Sequence, residues 1–274
     1  MMKRIPLTAC LILSMIALPV LPVSLTAPPC LSAEEGNLSL VIAPPPVGYP
    51  LIEDGSQTSH AGANFVYSSI DMMDTSLTLL GGTVFADRQI CPTGFFALSG
   101  NAGATFLAGS EYNLLMLQAP LSGSAILRVF SVPHFSLFAF GGAGVTAGLT
   151  NMTVTITYPI PPTSTFVDDD TSVTSTVVTC SATGGLQANI SAGPFIVSPF
   201  GFMTVTAGRY STTIESTMSY VYPSDSGTID AISATVLGFD ILYEPRGISL
   251  SSQFRNSRDY RMFTVSLRWL LAPR

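Results

Sequence analysis

The sequence is poor in charge. Asp, Glu, Lys and Arg make up 10% of its 274 residues, where a soluble domain carries about 25%. After Lys3 it contains no lysine at all. Past residue 33 there are nine arginines against 17 acids, a net charge of −8. That balance excludes nucleic acid as a partner, because neutralising phosphates requires clustered cations. Long apolar runs are missing too. Hydrophobic residues reach 47%, yet beyond the first thirty residues no stretch of 18 is apolar, which argues against a helical membrane span there. Histidine is confined to His60 and His134. Cys91 and Cys180 are the cysteines beyond the first thirty residues; they lack metal-ligand spacing, and their distance in sequence leaves pairing open.

What is present is apolar character in diluted form. Gly, Ser and Thr separate the hydrophobic residues, as a transmembrane barrel requires when only half of each strand faces lipid. The first 33 residues read as an export signal. Lys3 and Arg4 precede an apolar stretch from Ile5 to about Val23, and Leu31-Ser32-Ala33 offers a small-residue cleavage site before Glu34-Glu35. A retained anchor is disfavoured by Pro19, Pro22, Pro28 and Pro29 and by the acidic pair. Leu7-Thr8-Ala9-Cys10 has the letters of a lipoprotein box but precedes the apolar stretch, so lipidation is not expected. Residues 34–62, with Pro44-Pro45-Pro46, read as an irregular lead-in, and 63–274 as the barrel domain.

From Ala63 onward the hydrophobic period is two. In one segment Cys180, Ala182, Gly184, Leu186, Ala188 and Ile190 alternate with Ser181, Thr183, Gly185, Gln187 and Asn189. Near the end Phe263, Val265, Leu267, Trp269 and Leu271 alternate with Thr264, Ser266 and Arg268. Such sets lie on opposite faces of a sheet. A soluble β-sandwich would alternate as well, but its outer face should carry Lys, Glu and Asp. Here the polar face is Ser, Thr, Asn, Gln and Gly, which suits a crowded barrel interior. A phase slip near Asn151 suggests a bulge.

The expected fold is therefore all-β, an antiparallel up-and-down transmembrane β-barrel. Ten strands are favoured, at about 63–73, 76–87, 95–108, 113–130, 135–157, 172–191, 195–212, 228–243, 247–254 and 260–271. Discounting the first two leaves eight. Tight turns at Val132-Pro133-His134, Ala192-Gly193-Pro194 and Glu244-Pro245-Arg246-Gly247 mark one end, and longer loops near 158–172, 211–228 and 254–260 the other.

Two runs carry a family resemblance. Phe138-Ala139-Phe140-Gly141-Gly142-Ala143-Gly144, after a Pro-containing turn, resembles a mid-barrel strand of small OmpA/OmpX-type outer-membrane proteins. So does Tyr260-Arg261-Met262-Phe263-Thr264-Val265-Ser266-Leu267-Arg268-Trp269. The resemblance implies a barrel over about residues 63–271 in the outer membrane of a Gram-negative cell envelope. The partners it implies are outer-membrane lipids and, during biogenesis, the barrel-assembly machinery, which reads a C-terminal strand ending in an aromatic. Here Leu270-Leu271-Ala272-Pro273-Arg274 follow the aromatic, a departure from that pattern.

Candidate chemistry is sparse. His60 is expected before the barrel and His134 in a turn, so a serine–histidine lipase or an omptin-like protease finds little support. Asp168, Asp169 and Asp170 read as a solvated acidic outer loop, since their spacing does not match a calcium loop. Arg128, Arg209, Arg255 and Arg268, with Asp240, share an expected inward phase. Such charges pair as a plug or line a narrow aqueous path. The expected function is a structural or surface-interaction barrel that is not an enzyme, with no cofactor implied. A narrow channel for ions or small solutes is the alternative, and a barrel enzyme acting on lipid the remoter one.

Overall fold

A computed structural model of the chain describes residues 56–72, 75–109, 113–160, 165–216, 224–258 and 260–271, side chains excepted at 71–72, 75–76, 154–160, 165–169 and 216. The expected export signal lies outside these residues, as does most of the lead-in. Ten strands follow one another: β1 Gln57–Met72, β2 Thr75–Thr93, β3 Phe96–Gly109, β4 Leu115–Val132, β5 Phe135–Ile160, β6 Thr165–Ala192, β7 Phe195–Ser216, β8 Asp225–Tyr243, β9 Ile248–Ser257 and β10 Tyr260–Leu271. Each pairs antiparallel with the next. β1 pairs with β10 from Ser59 opposite Leu271 to Ile70 opposite Tyr260, so the sheet closes on itself. Closure leaves no open edge along the shared wall, and every strand there has a neighbour on both sides.

The turns explain the hand and register of the hairpins. Between β4 and β5, Pro133 precedes His134, whose φ of 67° is left-handed, the Pro-then-left-handed order of a type II turn. Between β6 and β7, Gly193 at φ 60° precedes Pro194. Between β8 and β9 a single 3-10 turn, Glu244–Arg246, ends on Gly247 at φ 58°, whose amide donates to the Glu244 carbonyl. These connections share one end of the barrel, the turn end. The opposite, loop end holds the connections between β1 and β2, β3 and β4, β5 and β6, β7 and β8, and β9 and β10.

Three sequence expectations shift. The first strand begins at Gln57, inside the expected lead-in, because Gln57 to Gly62 pair with β2 and β10 although they lack apolar alternation. The bulge expected near Asn151 is absent. β5 and β6 pair without a break from Phe135 opposite Ile190 to Ile160 opposite Thr165. Register shifts fall instead at Ile90/Thr93, Arg128/Phe130 and Thr206/Gly208. The acidic outer loop is strand: Asp168, Asp169 and Asp170 stand opposite Thr157, Ile156 and Thr155. β-branched residues alternating along Met152 to Ile160 prolong the ladder through a segment that polar composition marks as loop.

The two faces of the wall differ chemically. Outward positions carry large apolar side chains, such as Val84 at 62% exposed, Leu121 at 62%, Leu186 at 54% and Leu237 at 61%. Phe95, Phe130, Phe135, Phe195 and Trp269 are exposed towards the turn end, where an aromatic girdle would meet a headgroup layer. A surface this apolar in every direction is a lipid-facing belt, and the molecule is a transmembrane barrel. Inward positions are Thr58, Asn64 and Ser68 on β1, Thr83 and Gln89 on β2, Thr204 and Thr206 on β7, and Ser249, Ser251 and Gln253 on β9, all buried. Cys91 points inward and Cys180 outward, and both thiols are free.

Candidate functional site

The lumen is layered. At the loop end it is filled with hydrocarbon. Val66 and Ile70 from β1, Leu77 and Leu79 from β2, Leu107 from β3 and Met116 from β4 form one buried cluster with Val177 from β6, Ile229 and Ala234 from β8, and Tyr260 and Met262 from β10. Met152 of β5 and Tyr210 of β7 pack against it. Nine of the ten strands thus send side chains into a single plug, and Leu79, Leu107 and Met116 at its heart are fully buried. Sequence reading expects polar residues throughout the inward face. The plug is missed because at this end of β2 the apolar Leu77 and Leu79 point inward while Thr78 and Leu80 take the outward phase, so the apolar phase no longer marks the lipid face.

Towards the turn end charged groups appear beside two smaller apolar clusters, Cys91, Ala97, Ile126 and Phe138, and Phe200, Phe202 and Val236. His60 Nδ1 lies 2.5 Å from Asp87 Oδ1, both side chains being almost fully buried. Arg268 Nη1 lies 3.9 Å from Asp240 Oδ2, and its guanidinium stacks 5.5 Å from the Phe85 ring centroid. β1, β2, β8 and β10 bring these groups together because β1 and β10 form the closing seam, with Gly62 opposite Arg268 and His60 opposite Asp87. A side chain at Gly62 would strike the Phe85 ring at 2.5 Å, so glycine there leaves the ring space beneath Arg268.

Of the residues singled out in sequence, Asp240, Arg255 and Arg268 are buried in the lumen. Arg128 is half-buried, its guanidinium 5.9 Å from the centroid of the inward Phe138. Arg209 does not join them. Thr204, Thr206, Gly208 and Tyr210 take the inward phase of β7, which leaves Arg209 outward and exposed. Asp170 is exposed on β6; the side chains of Asp168 and Asp169 lie outside the described residues. His60 and Asp87 lie outside the lumen set expected from the sequence. The polar phase Thr58-His60-Asn64-Ser68 against Thr83-Asp87-Gln89 carries the signal once the first strand begins before Ala63. His134 sits exposed in its turn.

Between plug and network lies the middle of the barrel. On one side its wall is made of small residues: Ser122 and Ser124 on β4, Gly142 and Gly144 on β5, Ser181 and Thr183 on β6. A Cβ on Gly142 would come within 2.6 Å of the Gly123 carbonyl oxygen, and one on Gly144 within 3.1 Å of Ser181 Oγ. Arg255 reaches the same space from β9, three to five strands away around the ring.

No family model matches the chain, and no curated protein matches it. Among solved structures it is similar to the outer-membrane protease OmpT from Escherichia coli, with a TM-score of 0.49 and 6% identity over 79% of this chain and 96% of that one. It is also similar to the translocator domain of the autotransporter NalP from Neisseria meningitidis, with a TM-score of 0.40 and 10% identity over 79% and 88% of the two chains. Neisserial surface protein A gives a TM-score of 0.32 at 9% identity over 79% and 99%. The architecture itself stands on the strand register and closure described above.

Proposed function

We propose that this chain is an outer-membrane β-barrel with a sealed lumen, serving as a structural and surface-interaction protein rather than as a pore or an enzyme. The apolar plug carries this reading. Ions cross a narrow lumen only if it stays wet, and a constriction lined by hydrocarbon dewets. Here such a constriction is built from nine strands, and below it Arg268 and Asp240 pair across the remaining space. The His60–Asp87 pair has the residue types of an acid–base site. It lies within the wall, out of reach of lipid substrates, which speaks against lipid chemistry.

The contact surface falls to the longest hairpin. The last residue of β5 paired with β4 is Asn151, opposite Leu115. Beyond it β5 pairs only with β6, and β6 keeps its β7 partner as far as Thr171, so Thr155 to Ile160 opposite Thr165 to Asp170 form a two-stranded arm of roughly 20 Å. An exported chain with a lipid-facing belt and such an arm is suited to contacts outside the cell.

The deciding experiment is single-channel recording of the refolded protein in planar bilayers. Silent bilayers are expected from the native sequence. Replacing Leu79, Leu107 and Met262 together by serine should introduce discrete conductance steps. Steps from the native protein itself would sink the sealed-lumen reading in favour of a narrow channel.

A further inference from the structure

Arg255 stands apart from the other lumen charges. It is 2% exposed, and its Nε and Nη1 have no hydrogen-bond partner among the described residues. On the flanking strands the residues in register with it are Val236 and Met262, both inward, buried and apolar. The lumen carboxylates are engaged elsewhere, Asp87 with His60 and Asp240 with Arg268. A guanidinium held this way out of water is costly unless something neutralises it.

The side chain faces a cavity of about 30 Å³ whose polar lining includes Asn101, Ser122, Ser124, Ser181, Thr183 and Thr204 and whose remaining lining is apolar, with Phe140 and the glycines of β5. One water needs on the order of 10–15 Å³ of such space, so the cavity has room for a small ion with a water beside it. Every polar side chain on that list is neutral and most carry hydroxyls, which can donate to a negative charge. No acidic side chain borders the cavity. Cation above, hydroxyls around and no competing carboxylate make an environment for an anion, and the volume limits that anion to one or a few atoms.

We propose that the middle of the barrel is a binding site for a small inorganic monoanion of halide size, held by Arg255 and the hydroxyl-lined wall of β4 to β7. The anion acts as a buried counter-ion. It enters as the barrel closes and completes the electrostatics of a lumen that the protein's own carboxylates leave unbalanced at this level.

Thermal unfolding of the refolded protein in a non-ionic detergent tests the site, with sodium bromide compared against sodium gluconate at equal ionic strength. Gluconate is too large for the cavity. Bromide should raise the midpoint by several degrees along a saturating curve. Arg255→Met should unfold at one temperature in both salts. Ser181→Val keeps the arginine, fills the cavity and should lose the bromide response as well, so the test survives if the arginine variant does not fold. Anomalous diffraction from crystals of protein refolded in bromide should give a peak beside the Arg255 guanidinium. Equal midpoints in the two salts for the native protein would overturn the site and leave the arginine simply hydrated. So would a bromide response that persists in Ser181→Val.

Discussion

Single side chains report on which side of the wall they stand. Ala182 faces outward on β6 and its neighbour Thr183 faces the lumen. Arginine at Ala182 should therefore cost about 2–4 kcal/mol if the residue sits near mid-membrane, and arginine at Thr183 clearly less. Urea titration of each variant refolded into lipid vesicles checks this, and equal losses would contradict the assigned faces. His134 offers a gain instead. Its left-handed backbone strains an L side chain by about 1 kcal/mol, so His134→Gly should raise stability by a comparable amount in the same titration. The Arg268–Asp240 pair predicts non-additivity. Asp240→Leu alone takes the carboxylate from a buried guanidinium and should cost up to about 3–5 kcal/mol, whereas adding Arg268→Met should recover most of the loss. A double-mutant cycle with no coupling would mean that the two charges are independently satisfied.

At the scale of elements, strands with lipid on one side and a polar lumen on the other were legible in the sequence, whereas the apolar plug at the loop end and the start of β1 at the turn end were not. Strands β4 and β10 alternate in this way over most of their length, and their expected limits lie within two residues of those found. Legibility fails wherever that contrast fades. Gln57 to Gly62 of β1 face outward with Gln57, Ser59 and Ala61, which carry no lipid signature. In the arm, β5 and β6 pair beyond the ring, so neither face reports a membrane. The lumen contacts were out of reach for another reason: His60 meets Asp87, and Arg255 meets the β4–β6 wall, through register and curvature that no local pattern encodes. The arm yields its own prediction. Replacing Thr155 to Asp170 by Asn-Gly keeps the pair Val154 and Thr171, leaves the β7 partners of β6 in place and supplies a two-residue hairpin turn. The shortened protein should still migrate as a compact folded band on a semi-native gel, while any surface contact made by the arm is lost. Failure to fold would show that the arm is part of the barrel's stability and not an appendage.

At the scale of the whole molecule, a closed ring of ten strands implies one cooperative unit. The folded protein in detergent should run differently from the boiled one on a semi-native gel and give a β-type circular dichroism spectrum. Solubility without detergent would instead mean that the apolar belt is covered by something other than lipid. The plug also bears on the order of events in synthesis and assembly. It takes Val66 and Ile70 from the first strand and Tyr260 and Met262 from the last, so no intermediate lacking the final hairpin can complete it. Contacts between chain ends are slow to form, because a long loop must close before they reward the chain. A barrel stalled before its last hairpin would present a greasy, half-built interior to water, and such a species is open to proteases and prone to clump. The seam between first and last strands is thus a checkpoint in time: nascent molecules remain vulnerable up to the moment the ring closes, and their fate turns on how quickly the final twelve-residue strand arrives.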